Sequence, residues 1–402
     1  MKKFDETKIE HLLNRGVENI YPNRVFLEKL LKSGKKLTIY QGIDPTGPNI
    51  HIGHAIPFRK LAEFQKLGHK IIVLIGDFTA KIGDPTDKLA TRIQLTDKQV
   101  KANMKNYIKQ LSLIIDFKGK NPAEIKYNSK WLAKLSFADL IMLSSNFTAQ
   151  QTLARDMFKK RIEEEKDLYL HEFLYPMMQA YDSVAMNVDG EVGGNDQMFN
   201  MLAGRTLMKK MLNKEKFVIT TKLLVDISGK KMGKTEGNII ALDETPEEMF
   251  GKVMNWTDGM IIPGFELLTD LSDSEIKIFS DALKKGENPR NLKFKLAEEI
   301  VKVFCGLGEA LKAGEAFNKQ FRDREKPQDI PEMKVKGKIH GIVELLFDLG
   351  LAGSKSEARR LVEQGGVKID DAKITDVTAS ITVYTGMLVQ VGKRKFAKIK
   401  SV

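Results

Sequence analysis

An α/β protein with a largely parallel sheet, followed by a small α-helical domain and a small α+β domain, is what three features of this 402-residue sequence predict. Strand-like and helix-like stretches alternate over the first 240 or so residues, the pattern of a parallel sheet with crossover helices. From about 245 to 323 the β signal almost disappears and helical periodicity replaces it. Behind a polar stretch at 324–331, which holds two prolines, short helices and strands return in a basic tail. The expected boundaries are 1–240, 241–325, a linker at 326–336, and 337–402.

The first clear strand is 37–43, Leu-Thr-Ile-Tyr-Gln-Gly-Ile, which runs into the turn Asp-Pro-Thr-Gly-Pro at 44–48. A helix is expected over 52–67, stopped by Gly68, where a glycine can take the left-handed backbone of a C-terminal cap. The run 70–76 is apolar enough for a buried strand and far too short to span a bilayer. A polar loop occupies 77–88. Segments 246–256, 272–285 and 291–305 carry the helical repeat. In the tail, Ser354-Lys-Ser-Glu357 is a capping box. It opens a helix with Arg359 and Arg360 on one side and Ala358, Leu361 and Val362 on the other. Gly365 and Gly366 end it. A strand at 367–369 and a hairpin at 387–399, turning near Gly392, complete the chain, and Lys393, Arg394, Lys395, Lys398 and Lys400 crowd that hairpin.

The hydrophobic share of 42% and charged share of 29% are those of a water-soluble globular protein, while a formal net charge of +12 points to a polyanionic partner. The paired arginines and the basic hairpin make RNA backbone the expected one. The first residues lack an apolar stretch and include acids, which argues against a secretory or organellar leader. A single cysteine, Cys305, excludes disulfides within the chain and thiolate clusters for zinc. A cytoplasmic protein without membrane anchorage is expected.

Two segments carry chemistry. His51-Ile-Gly-His54 stands where the strand 37–43 hands over to a helix, and its spacing puts both imidazoles on one face with Gly53 between them leaving room for a ligand. The unpaired N–H groups and partial positive charge of a helix N-terminus favour phosphate there. Near 230, Gly229-Lys-Lys-Met-Gly-Lys-Thr-Glu-Gly237 is a glycine-flanked basic loop in which Lys231 and Lys234 present mobile ammonium groups. Together these resemble the HIGH and KMSKS motifs of class I aminoacyl-tRNA synthetases, with Gly233 and Thr235 standing where serines are usual. Tyr175-Pro-Met-Met-Gln179-Ala-Tyr-Asp182, Gly193-Gly-Asn-Asp-Gln197, the opening 40–46 and the Gly-Asp-Pro-Thr loop at 83–86 look like the bacterial tyrosyl-tRNA synthetase family, and so does a basic tail of the ribosomal-protein type. The resemblance covers essentially the whole chain.

That resemblance implies a Rossmann-like catalytic domain, an anticodon-binding helical domain and a C-terminal RNA-binding domain. It implies Tyr40 and Asp182 as partners of a phenol hydroxyl, and Asp84, Tyr175 and Gln179 as acceptors for an ammonium, with Thr79 lining the same slot. Gln197 would meet the substrate carboxylate or the carbonyl of its adenylate. For ATP it implies Gly42, Asp44, Gly53, Gly194 and Asp196, with Thr46, His51, His54, Lys231 and Lys234 as the catalytic donors around the triphosphate. Lys88 and Arg92 follow the 83–86 loop and are candidates for pyrophosphate. Arg359, Arg360, Lys393, Arg394 and Lys395 are the expected tRNA contacts. L-tyrosine, ATP with Mg²⁺, tRNA(Tyr) and a second copy of the chain are the implied partners, and no metal is expected to be held by the protein itself. A tryptophan-specific relative, another nucleotidyltransferase, and a catalytically silent RNA-binding factor are the rival readings. Tyr40, Asp182, the tail and the intact histidines and lysines count against them.

Overall fold

Six strands form the main sheet: β1 (Val17–Tyr21), β2 (Thr38–Ile43), β3 (Lys70–Ile75), β4 (Glu124–Tyr127), β5 (Gly190–Gly194) and β6 (Phe217–Thr221). Their order is β1-β6-β5-β2-β3-β4; all neighbours run parallel except the edge strand β1, which pairs antiparallel with β6. The computed structural model describes residues 5–84, 94–153, 155–225, 239–321, 330–335, 337–392 and 395–401. β3 is buried over Ile71–Ile75, as an apolar strand covered on both faces should be.

The connections start at β2 and build β3 and β4 on one side; the chain then crosses over and builds β5 and β6 on the other. The order therefore reverses between β2 and β5, and in such sheets ligands bind in the crevice beyond the carboxyl ends of the strands flanking the reversal. Here β2 and β5 pair only at Ile39↔Gly190 and Tyr40↔Glu191, whereas β5 and β6 stay paired over five residues. The strands part just past Tyr40 and Glu191. Helix α1 (Ile52–Lys66) follows β2, and helices α2 (Leu170–Met186) and α3 (Met198–Leu212) bracket β5. Leu67 caps α1, and Gly68 takes φ +92°, matching the stop read from the sequence.

Beyond the sheet the chain is helical through α4 (Pro246–Met254), α5 (Ile261–Leu268), α6 (Asp273–Lys284), α7 (Pro289–Cys305) and α8 (Leu307–Phe321). Thr245 and Ser272 cap α4 and α6 through reciprocal bonds with Glu248 and Glu275. Arg15 fastens this helical part to the N-terminal segment: its guanidinium donates to the carbonyls of Phe265 (3.0 Å), Glu266 (2.9 Å), Thr269 (2.9 Å) and Leu271 at the carboxyl end of α5.

Met1–Ala316 forms one compact unit and Phe317–Val402 a second. In the second, helices α9 (Ile342–Asp348) and α10 (Lys355–Glu363) pack with strands β7 (Glu332–Lys334), β8 (Ile339–Gly341), β9 (Val367–Ile369), β10 (Ala372–Ile374), β11 (Ser380–Thr382), β12 (Leu388–Val391) and β13 (Lys395–Ser401). Five of these strands make the sheet β10-β9-β12-β13-β7. The stretch expected as linker therefore ends early. Glu332–Lys334 pairs in parallel with β13, and Val335 sinks into the second core beside Ile342 and Ile399. The prolines that signalled a linker precede this strand and do not interrupt it.

Candidate active site

A cavity of about 400 Å³ opens at the crevice between β2 and β5. Tyr40, Gly42, Asp44 and Thr46 reach it from β2 and the following turn, His51, Gly53 and His54 from the start of α1, and Tyr175, Gln179 and Asp182 from α2. Thr79, Asp84, Gly194, Asp196 and Gln197 complete the set. The amino-acid and nucleotide residues expected from the sequence thus share one cavity wherever they are described. Lys88, Arg92, Lys231, Lys234, Lys393 and Arg394 lie outside the described residues.

The turn after β2 is held in place from outside. Tyr107 donates its hydroxyl to Gly47 O (2.7 Å), Asn103 its amide to Pro45 O (2.9 Å), and Gln110 Oε1 accepts from Ile50 N (2.6 Å). His51 is the N-cap of α1 rather than a helical residue, with extended backbone (φ −106°, ψ 165°). Its ring stacks on His54 at 3.6 Å, and His54 Nδ1 accepts the His51 N–H at 3.4 Å, leaving Nε2 of His54 to carry a proton. A Cβ on Gly53 would come within 3.1 Å of His51 Nδ1, so this glycine makes room for the imidazole itself.

One oriented network crosses the slot. Phe78 N–H donates to Asn128 Oδ1 (2.9 Å), which fixes the amide so that Nδ2 donates to Thr79 Oγ1 (3.0 Å) and Asp182 Oδ2 (3.2 Å). Thr79 donates its own hydroxyl hydrogen bond to Asp44 Oδ1 (2.7 Å), and Tyr175 donates to Asp44 Oδ2 (2.9 Å). Asp44, expected on the nucleotide side, therefore also ties together two residues of the amino-acid side. Gly76 permits this: a Cβ there would stand 1.9 Å from Asp44 Oδ1 and 2.4 Å from Thr79 Oγ1. Gln197 Nε2 donates to Asp84 Oδ2 (2.6 Å) and Gln197 Oε1 accepts from Asn200 (3.0 Å).

At the floor, Trp131 Nε1 donates to Asp182 Oδ1 at 2.7 Å. Burial pushes the Asp182 carboxyl well above the usual range, against the pull of the Trp131 and Asn128 donors. Tyr40, fully buried among Ile72, Leu74, Met186 and Val188, is held far above an ordinary phenol first by burial and then by the Glu191 and Asp182 charges. Tyr175 is raised in the same way by burial and by Asp44 and Asp84. Both phenols therefore stay neutral O–H groups at physiological pH.

Five polar groups here were not singled out from the sequence: Asn128, Trp131, Ser183, Glu191 and Lys216. Asn128 sits just past the carboxyl end of β4, the position where open α/β sheets place ligand-binding groups, and that was the available signal. The others are single residues without a pattern. Glu191 is brought opposite Tyr40 only by the β2–β5 register.

In the second unit Arg359 and Arg360 are exposed on α10 while Ala358 and Val362 are buried. Lys395 is exposed on β13 and donates to Leu351 O at 3.2 Å.

A parallel sheet whose reversal crevice combines a histidine-lined helix start with a polar-floored slot defines the class I aminoacyl-tRNA synthetase type of catalytic unit. The family model for class I tRNA synthetases (W and Y) matches residues 32–322, and that for the tyrosine–tRNA ligase SYY-like C-terminal domain matches 323–399. The chain belongs to this family, on its tyrosine–tRNA ligase branch: it is 43% identical to tyrosine–tRNA ligase 2 of Clostridium acetobutylicum over 99% of both chains, and 44% identical to the tyrosine–tRNA ligase of Carboxydothermus hydrogenoformans over 98% of both. The fold is also that of a C-terminally truncated Aspergillus nidulans mitochondrial tyrosyl-tRNA synthetase (TM-score 0.65, 24% identity, 78% of this chain and 94% of that one). The Archaeoglobus fulgidus tyrosyl-tRNA synthetase complexed with L-tyrosine is similar as well (TM-score 0.61, 22% identity, 77% of this chain and 100% of that one).

Proposed function

We propose that the β2–β5 cavity activates L-tyrosine with ATP and that the enzyme then transfers the tyrosyl group to the 3′-terminal adenosine of tRNA(Tyr). The observation that carries this reading is the slot floor, where Tyr40 and Asp182 offer a hydroxyl and a carboxyl to a phenol in apolar surroundings. Phenylalanine would displace water from the slot without supplying the hydrogen bonds that a phenol hydroxyl makes to Tyr40 and Asp182, so it binds less well than tyrosine.

In the first step the tyrosine carboxylate attacks the α-phosphorus of ATP and pyrophosphate departs. The nucleophile is already an anion at neutral pH, so catalysis consists of alignment and of stabilising charge on the leaving group. Asp84, Tyr175 and Gln179 hold the ammonium, and Gln197 faces the carboxylate. Thr46, His51 and His54 meet the phosphates together with Lys231 and Lys234. The described flanks of the lysine segment support this placement: Lys222, Leu223 and Leu224 line the cavity, Ile240 O accepts from Ile52 N at 2.9 Å, and Ala241 bridges His51. Mg²⁺ comes as part of the ATP substrate, coordinated mainly by phosphate oxygens and water. In the second step a terminal ribose hydroxyl of the tRNA attacks the adenylate carbonyl, releasing AMP.

The helical stretch before residue 326 and the basic C-terminal part hold the tRNA, with Arg359, Arg360, Lys393, Arg394 and Lys395 against phosphate. The enzyme acts in the cytoplasm as a homodimer. The exposed apolar side chains Phe137, Ile141 and Met142 on one short helix support the dimer. Single-turnover kinetics test the phosphate-side assignment: Lys231→Ala and Lys234→Ala should slow adenylate formation by orders of magnitude and leave tyrosine affinity nearly unchanged. Equal losses in tyrosine binding would show the segment to be structural.

A further inference from the structure

Beside Tyr40 lies a polar cluster that joins Gln179 and Glu191 of the cavity wall to two residues outside it, Ser183 and Lys216, to which the two-step reaction gives no role. Lys216 is completely buried on the approach to β6; its ammonium pairs with Glu191 Oε2, donates to Ser183 Oγ at 2.9 Å, and stands 5.8 Å from the Tyr40 ring centre. Ser183 Oγ meets the Tyr40 hydroxyl at 2.9 Å. The other Glu191 oxygen accepts from Gln179 Nε2 at 3.2 Å. Neither Ser183 nor Lys216 lines the cavity.

The direction of these bonds follows from donor and acceptor inventories. A lysine ammonium can only donate, so Ser183 Oγ accepts from Lys216 and has its own proton to place. The Tyr40 oxygen is the acceptor within reach. Once that oxygen accepts from Ser183, the Tyr40 proton has two acceptors, the Glu191 carboxylate and, in the slot, the oxygen of a bound phenol, whose own proton then goes to Asp182. Glu191 also faces the Tyr40 hydroxyl and competes for its proton. The ammonium on one of its oxygens and the Gln179 amide on the other weaken that competition. Each link polarises the next, so the order Lys216, Ser183, Tyr40, phenol, Asp182 runs from a cationic donor to a carboxyl acceptor.

We propose that Ser183 and Lys216 are positioning residues for substrate selection, which set the Tyr40 hydroxyl as a donor to the phenol oxygen of tyrosine. This rests on the tyrosine reading of the slot. Steady-state ATP–pyrophosphate exchange on the full chain, with tyrosine and separately with phenylalanine, tests it. Ser183→Ala should lower kcat/KM for tyrosine about tenfold, the worth of one net hydrogen bond, mainly through KM, and leave the much smaller phenylalanine value unchanged. Ser183→Cys, with a weaker donor, should fall between. Lys216→Met frees Glu191 to capture the Tyr40 proton and should also cut the tyrosine-to-phenylalanine ratio; adding Glu191→Gln to it should restore part of that ratio. A purely structural role would depress both amino acids equally. Equal depression, or an unchanged ratio in both Ser183 variants, overturns the proposal. A wild-type enzyme with no tyrosine-dependent exchange would instead overturn the substrate reading beneath it.

Discussion

Gly76, a residue of the cavity wall with no side chain, shapes the site by what it leaves room for. Its missing side chain lets Asp44 and Thr79 close to a 2.7 Å bond, and Asp44 in turn receives Tyr175. Gly76→Ala should therefore raise the KM for tyrosine by about tenfold or more, the loss of at least one buried hydrogen bond, with little change in melting temperature. Unchanged tyrosine kinetics would show that the network is dispensable. The residues that were legible in sequence are those in compact motifs or those that the family resemblance marks, such as His51, His54, Tyr175, Gln179 and Asp182. Gly76, Asn128, Glu191 and Lys216 were not, because each comes from a different strand end and acquires meaning only when the sheet register brings it beside its partner. Gly53 was legible as a position requiring a small residue, although the group it accommodates is the His51 ring.

Among the elements, those carrying their own start and stop signals were readable. α6 begins at the Ser272 box, α1 ends at Gly68, and α10 begins at Ser354, whose Oγ accepts from Glu357 N at 3.1 Å. The Glu357 carboxylate, however, reaches back to Gly353 N rather than to Ser354. β1 and β7 were not readable, since each is an edge strand that depends on a distant partner: β6 for the first and β13 for the second. The Arg15 clasp is equally opaque in sequence. The last carbonyls of a helix have no intrahelical partners, and one guanidinium reaches four carbonyls at and just past this terminus, two of which also accept from Thr269 Oγ1 and Arg59. Arg15→Ala should destabilise the first unit by about 2–3 kcal/mol, the scale of charge-assisted hydrogen bonds lost from a buried setting, and urea unfolding would measure it. An unchanged midpoint would mean that water replaces the guanidinium at no cost.

For the whole molecule, the proposed assignment of tRNA binding to the second unit predicts that adenylation and charging separate. A chain lacking residues 323–402 should retain pyrophosphate exchange and lose most tRNA charging, and the charging that the full chain performs should weaken steeply with added salt. Charging that survives the truncation would remove the second unit from tRNA binding. Ile141→Lys together with Met142→Lys should shift sedimentation towards the monomer if the exposed apolar helix pairs the copies. Amino-acid-dependent ATP–pyrophosphate exchange on purified protein measures directly whether the slot floor reads a phenol hydroxyl. Exchange driven by tyrosine, with phenylalanine and tryptophan orders of magnitude weaker, is the predicted result. Exchange driven as well by phenylalanine or better by tryptophan would contradict it.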